Sequence, residues 1–341
     1  MVARGAGSGL AALVLWASVL GCSEGPPGPK VVSVEDLGAL VDASAPTLWR
    51  DGGSSVLLGG QVLWAFGDTI FPFRSADGVQ LRTNTAALAW PGTPLAVSEP
   101  LDANGAPFQF VPFTAEEAAF NAASSDERIA LWPGAMVPLE GDRALVVVDR
   151  LKVHPGALDY EELGTELAVA GAGRTTATRL GALFSAPEPS FVHGAVAKDG
   201  LLYLYACTPG GPCRVARAPL ETATLRSAYE FYTSAGWTPA LARAEAVVPG
   251  STAGFSVAWN EALGKFVAAS TPGFSNALEF RTAPSPEGPF SEPTVAFEAP
   301  SAIYGVYLHP ELSSGSTVAV SYSRQESDFS GEIRLLLVEL R

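Results

Sequence analysis

Two aspartates, Asp51 and Asp68, bracket the stretch RDGGSSVLLGGQVLWAFGDT, and their spacing makes them candidates for acid–base chemistry. Between them Gly59-Gly60 is a two-residue turn signal, because type I′ and II′ turns need positive φ and glycine adopts it at little cost. A hairpin that turns there sets Asp51 opposite Asp68 at its open end, where two like charges face each other unfavourably unless something uses them. Mutual repulsion drives the two pKa values apart and keeps one carboxyl protonated near neutral pH. Such a pair is suited to glycosidic cleavage: one carboxyl protonates the leaving oxygen while the other attacks or activates water. Structural roles compete with this one. Asp51 could serve as a turn residue or calcium ligand, and Asp68 could bond backbone amides at a strand end.

The elements that position the pair recur along the chain. Short apolar runs with period-two alternation and turn residues between them mark an all-β protein. Stacked on a small residue near their start, five segments share one plan: glycine, short strand, turn, second strand. They begin at Gly53, Gly134, Gly194, Gly254 and Gly305. A further strand follows most of them: TNTAALAW, TELAVAG, CRVARAPL, LEFRTAPS and EIRLLLVEL. Repeated multi-stranded units of roughly 50 to 60 residues are propeller blades, so the sequence predicts a five-bladed β-propeller over residues 38–341. A β-sandwich is the alternative, and the fivefold recurrence argues against it. The glycines have a reason in this fold, since innermost strands crowd at the axis. Between blades, residues 92–127 form the longest other stretch, and Thr114 with Glu117 predicts a capping box that opens a short helix over one face.

In a propeller the residues just before each anchor glycine line the axial funnel. Here they bring Asp51, Trp132, His193, Thr252 and Tyr304 to one cavity. Aromatic faces beside carboxylates suit a sugar, with its apolar C–H faces and many hydroxyls. Trp132, His193 and Tyr304 are therefore expected to bind substrate, His193 having a structural role as its alternative. Asp149, in VVVDR, falls one position from the place that matches Asp68; it is either a third carboxylate toward the substrate or a strand-end residue. No HExxH, zinc-spaced Cys/His set, Gly-x-Ser-x-Gly elbow or phosphate loop is present, so neither metal nor cofactor is expected.

RDGGSS…LWAFGDT, NTAALAW from Asn84, LHPEL around His309 and FRTAPSPEGPFSEP resemble the domain-of-unknown-function 4185 family, from about Leu48 to the C-terminus. The resemblance implies a five-bladed propeller. It also implies a possible activity, because some members, classed as glycoside hydrolase family 183, are endo-D-arabinanases acting on mycobacterial arabinan. In those members two first-blade aspartates are catalytic, and by motif position they correspond to Asp51 and Asp68. Asn84 and His309 lie in the shared motifs and join the expected substrate-binding residues, with a turn-fixing role as the alternative for His309. A noncatalytic propeller that binds glycan or protein at the cell surface is the competing function.

The ends of the chain bear on where it works. Arg4, the apolar run Leu10 to Leu20 and the small residues of VLGCS form a signal peptide over residues 1–21. Val19-Leu20-Gly21-Cys22 resembles a bacterial lipobox, which implies lipid attachment at Cys22 and anchoring at the outer membrane or cell surface; an ordinary secretory signal is the alternative. Residues 22–37, with SEGPPGPK, read as a Pro/Gly tether. In an exported protein, Cys207 and Cys213 around TPGGP read as a disulfide closing a hairpin loop. The balance of 21 basic against 35 acidic residues, a net charge of −14, argues against nucleic acid or an anionic membrane surface as partner. The expected partners are a polysaccharide or other glycan and, through the lipid, a membrane; the chain is expected to be a monomer.

Overall fold

The run Val62 to Phe66 is apolar without alternation, which suits a strand covered on both faces. That is what the computed structural model shows. It describes residues 25–44, 49–124, 126–156, 159–208, 211–248, 252–273, 275–327 and 330–341. The strand Gln61–Ile70 is buried from residue 62 to residue 69, because each face meets the sheet of a neighbouring blade.

Five sheets, antiparallel except where Val41–Asp42 pairs in parallel with Thr93–Ser98, are arranged as a five-bladed β-propeller. Their innermost strands are Trp49–Leu58, Arg128–Leu139, Gly194–Lys198, Thr252–Asn260 and Ile303–Leu308. Each pairs with the next strand in sequence, as the repeat predicts, and the third strands fall on the five expected segments. The apolar core is divided into five clusters, one at each junction between successive blades. At the second junction, for example, Phe184, Phe191 and Phe231 stack between blades 2 and 3.

The anchor glycines sit where inner strands approach across these junctions. A β-carbon at Gly134 would lie 2.6 Å from the Val192 carbonyl oxygen, and one at Gly254 would lie 3.0 Å from the Val306 nitrogen. Both distances fall inside normal contact, so a larger residue would push adjacent blades apart.

The N-terminal part of the propeller differs from expectation. Val31–Ala39 is not tether but the outermost strand of blade 5, antiparallel to Ser330–Leu340, with Val31 opposite Leu340 and Val34 opposite Val338. Val31 and Val34 pack against the apolar cluster between blades 4 and 5, which holds the segment on the blade. The preceding residues also pack: the Glu292 amide donates to the Pro26 carbonyl at 2.8 Å, and Gly28 lies against Thr294 and Glu292. Lacking a side chain there, the backbone can lie flat on blade 4. The signal peptide and Cys22 fall outside the described residues.

Over residues 92–127 the helix is Ala115–Ala123, and its capping box is complete. The Thr114 hydroxyl accepts from the Glu117 amide at 3.2 Å, and the Glu117 carboxylate accepts from the Thr114 amide at 3.0 Å. Glu117 also binds Arg150 and Arg179 of blade 2, which holds its carboxyl down at about 2 against the opposing effect of burial. This clamp fixes the approach to Arg128–Leu139.

Candidate active site

The first hairpin keeps the predicted register at both ends, with Leu58 opposite Gln61 and Arg50 opposite Thr69, but not in between. Two compensating bulges interrupt it, one on each side of the pair Gly52–Phe66. Gly52 and Gly53 have φ of +79° and +97°, values that residues with a β-carbon rarely adopt, and the double glycine allows the slip. Asp51 is consequently not a ladder partner of Asp68. Its side chain leans across Gly67, where an added β-carbon would lie 2.3 Å from Asp51 Oδ1. In that position the Asp68 backbone amide favours the ionised Asp51 carboxyl, against the larger effects of burial and of the Asp68 charge.

Asp68 is held from the next blade. Arg128 Nη2 donates to its Oδ2 at 2.9 Å, and Trp132 Nε1 donates to its Oδ1 at 3.0 Å. Arg128 and Trp132 are four residues apart on one strand, so period-two alternation places them on the same face. Burial pushes both aspartates up. Asp51 rises well above the ordinary carboxylate range through burial and then through repulsion by Asp68. For Asp68 the Arg128 guanidinium and the Trp132 indole N–H oppose the effect of burial. The surroundings of Asp68 thus favour its ionised form more than those of Asp51 do.

Other predicted residues divide into two groups. Tyr304 comes to the pair, its hydroxyl pKa raised by burial and then by Asp51 and Asp68. Trp132 packs edge-on against Tyr160, with ring centroids 5.6 Å apart. Asp149 accepts from the Ser190 hydroxyl at 2.8 Å, and burial lifts its carboxyl to about 7, aided by Glu162. His193 accepts the Cys207 amide on Nδ1 at 3.2 Å; burial lowers it to about 4, so it is neutral at physiological pH. At Thr252 only the backbone is described, opposite Pro272.

Asn84 and His309 do not come to the site. Asn84 is fully buried; its amide donates to the Leu131 carbonyl at 2.8 Å and accepts from the Val111 amide at 2.7 Å, joining blade 1 to the insertion and to blade 2. His309 is fully buried between Ser55 (2.5 Å from Nδ1) and Ser321 (2.8 Å from Nε2), beside the Trp64 ring. Both polar groups are occupied inside the protein, so neither meets substrate.

Four residues near the carboxylates were not singled out from the sequence: Arg128, Tyr160, Glu162 and Tyr307. Only Arg128 left a signal, through its same-face spacing with Trp132. Tyr307 follows a bulge after Tyr304, and its hydroxyl feels Asp51 and Asp149. Cys207 and Cys213 form the expected disulfide across a strand pair, with Cα atoms 3.9 Å apart. Among the described residues, no group of three or more His, Cys, Asp or Glu side chains is placed to share a metal ion. A cavity of about 410 Å³ lies farther along the inner strands, lined by Val56, Val137, Ala197 and Trp259, but it contains none of Asp51, Asp68 and Asp149.

Comparison with solved structures supports the architecture. A protein from Bacteroides ovatus superimposes with a TM-score of 0.63 at 17% identity, covering 86% of each chain. A family 117 glycoside hydrolase from the marine bacterium Zobellia galactanivorans gives 0.55 at 10% identity over 90% of each chain. The α-L-arabinofuranosidase PaAbf62A from Podospora anserina, solved with cellotriose, gives 0.51 at 9% identity over 92% of this chain and 98% of that one. At these identities the likeness is one of fold. No curated protein matches the sequence. Residues 32–327 match the family described as Domain of unknown function (DUF4185), and the chain belongs to that family.

Proposed function

We propose that this chain is a glycoside hydrolase acting on furanosidic, arabinan-like polysaccharide, with Asp51 and Asp68 as its catalytic pair. One observation carries the reading: two neighbouring carboxyl groups sit in unlike surroundings, Asp68 bonded to the Arg128 guanidinium and the Trp132 indole and Asp51 leaning over Gly67 beside it. Asp51, desolvated and facing a negative neighbour, keeps the proton that a leaving glycosidic oxygen requires. Asp68, between the Arg128 guanidinium and the Trp132 indole, keeps the charge that stabilises a developing oxocarbenium ion or drives the attack on it. Trp132 and Tyr304 supply aromatic surface for the sugar ring. The glycoside hydrolases among the structural neighbours support the class of reaction, and the family resemblance supports the sugar.

The test is hydrolysis of arabinans, fructans and xylans by the domain from Ser23 onward, alongside Asp51→Asn and Asp68→Asn. Each substitution keeps the shape and removes the proton chemistry, so turnover should fall by about 100-fold or more while the fold persists. Parental rates in both variants would refute the assignment. A second reading has its own observation: Asp68 is 7% exposed and both its oxygens are bonded, as in a structural carboxylate. It favours a glycan-binding propeller without turnover, in which Asp68→Asn lowers the melting temperature and leaves glycan binding intact.

We further propose that the domain works outside the cytoplasm, tethered through a lipid on Cys22. Cys22→Ala should release it from membranes; continued retention without a lipid label would overturn that placement.

A further inference from the structure

Strand direction decides at which end of the propeller the N-terminal segment lies. Asp51 and Gly52 stand near the start of Trp49–Leu58, which runs away from the carboxylates to the turn at Gly59-Gly60. Blade 5 is level with it there, since a β-carbon on Gly305 would lie 3.6 Å from the Gly52 Cα. From that end Ile303–Leu308 descends, Thr317–Ser327 returns and Ser330–Leu340 descends again. Val31 pairs with Leu340 and therefore stands at the face opposite the candidate site. Blade 4 places Glu292 at the same face. The Ser291 amide bonds to the Thr282 carbonyl, Thr282 is in register with Val267, and Val267 with Ala258, near the far end of the strand that Thr252 begins.

The chain is pinned to this face from Gly25 onward. The Gly25 amide donates to the Glu292 carboxylate at 3.3 Å, and the Glu292 amide donates to the Pro26 carbonyl at 2.8 Å. A β-carbon on Gly28 would lie 2.3 Å from Thr294 Oγ1, and Lys30 and Arg341 exchange backbone bonds at 2.9 Å. These contacts shorten the reach of anything attached at Cys22. A flexible tether over residues 22–37 would have an r.m.s. reach of about 22 Å, enough for the domain to turn over. From Cys22 to Gly25 the chain spans about 11 Å even when fully extended. The carboxylates are farther away than that, because the strand from Asp51 to Leu58 alone rises about 23 Å.

Resting on the lipid tether put forward above, we propose that the rim of blades 4, 5 and 1 opposite the carboxylates lies against the phospholipid bilayer that holds the lipid of Cys22. The funnel then opens away from the membrane, and a polymer reaches Asp51 and Asp68 from the remote side. Trp90 stands on the same rim. It ends Thr85–Trp90 in blade 1, one step beyond the Ala89–Val62 pair and at the end marked by Gly59-Gly60, and it is 63% exposed. Blade 1 adjoins blade 5, so Trp90 and the pinned segment share one edge of the molecule. An exposed indole suits the headgroup level of a bilayer, where its ring meets apolar groups and its N–H stays wet. Charge does not hold this edge to the lipid, since the chain carries −14; the acyl chains on Cys22 do, and the short reach keeps the contact local.

The test uses the lipidated full chain, reconstituted into phosphatidylcholine vesicles whose headgroups carry a nitroxide quencher. Trp90→Cys and Gln80→Cys each receive a thiol-reactive fluorophore. With Cys22 acylated and Cys207 paired to Cys213, the introduced thiol is the one left to react. Gln80 is exposed and lies at the carboxylate end, its carbonyl accepting from the Phe71 amide just past Gln61–Ile70. Quenching should be several-fold stronger at position 90 than at position 80. Equal quenching, or stronger quenching at 80, would overturn the orientation while the mass of a lipidated N-terminal peptide still upheld the anchor. A long Gly/Ser spacer inserted between Glu24 and Gly25 should level the two signals with the lipid retained. Gly28→Val, checked for an unaltered melting temperature, should act in the same direction by forcing the segment off Thr294. A difference that survives the spacer would refute the short reach as its cause. Cys22 without lipid would remove the anchor and the orientation with it.

Discussion

Arg128→Ala isolates the electrostatic part of the mechanism. Arg128 sits 2.9 Å from Asp68 Oδ2 with its own side chain 36% exposed. Two unit charges about 4 Å apart interact by about 4 kcal/mol at an effective dielectric of 20. Exposed pairs are screened well below such values, and a nearby opposite charge typically moves an aspartate by about 1 to 3 pH units. Discounted for the exposure, the expected change is about 1 to 2 units, or roughly 1.4 to 2.7 kcal/mol. The direction follows from the charge: removing a cation makes ionised Asp68 less favourable, so its pKa rises. The acid limb of the kcat/KM profile should therefore move upward by that amount. Asp51 also loses some attraction to Arg128, so the alkaline limb should rise by less, and the bell should narrow. Arg128→Lys should recover part of the shift, because lysine restores charge without the planar fork. Full pH–rate profiles of the three proteins on a cleaved polysaccharide provide the assay. An unmoved acid limb in Arg128→Ala would refute the division of roles between the two aspartates.

Gly67→Ala places a methyl group 2.3 Å from Asp51 Oδ1, so the carboxyl must move; turnover should fall by about 100-fold, in the range set by losing a general acid, with the fold retained in circular dichroism. Asn84→Ala should lower stability by about 2 to 4 kcal/mol in denaturant titration, since it leaves the Leu131 carbonyl and Val111 amide unpaired in the interior, while the rate per folded molecule stays at the parental value. Stability should also fall between pH 4.5 and 8. Glu99 and Asp149 are raised by burial to about 7, so the folded chain binds more protons there than the unfolded chain, and thermal melts across that range should show the decline. Below pH 4.5 the sign reverses, because Glu117, lowered to about 2 with arginine partners, must be protonated; a melting temperature that rises from pH 5 to pH 8 would contradict this account.

The parts of the fold that were legible in the sequence are those governed by local rules. The five hairpins follow from apolar runs and turn glycines, the helix start from Thr114 and Glu117, and the disulfide from two cysteines around a turn. Asp51 and Asp68 were legible as a pair, but their relation was not. Period-two counting assumes an unbroken ladder, and Gly52-Gly53 permits the bulges that carry Asp51 over Gly67. Arg128 was missed although its same-face spacing with Trp132 was visible, because its bond to Asp68 depends on the angle between two blades. Asn84 and His309 misled in the opposite way. Each is a residue type common in active sites, yet each is saturated by partners distant in sequence. Residues 31–37 were read into the tether that SEGPPGPK begins, whereas Val31 and Val34 dock that segment on the cluster between blades 4 and 5.

That N-terminal strand has a consequence for when the molecule can form. Its partners lie at the other end of the chain, with Val31 opposite Leu340 and reciprocal backbone bonds between Lys30 and Arg341 at 2.9 Å. Contacts of such sequence separation come late, after the entropy of closing a very long loop has been overcome. Blade 5 stays incomplete until the last ten or so residues are available, and the junctions on either side of it stay open with it. A chain made from its N-terminus therefore has no finished ring until that strand is present. Completion waits for the final strand to arrive, which makes the C-terminus a clock for assembly.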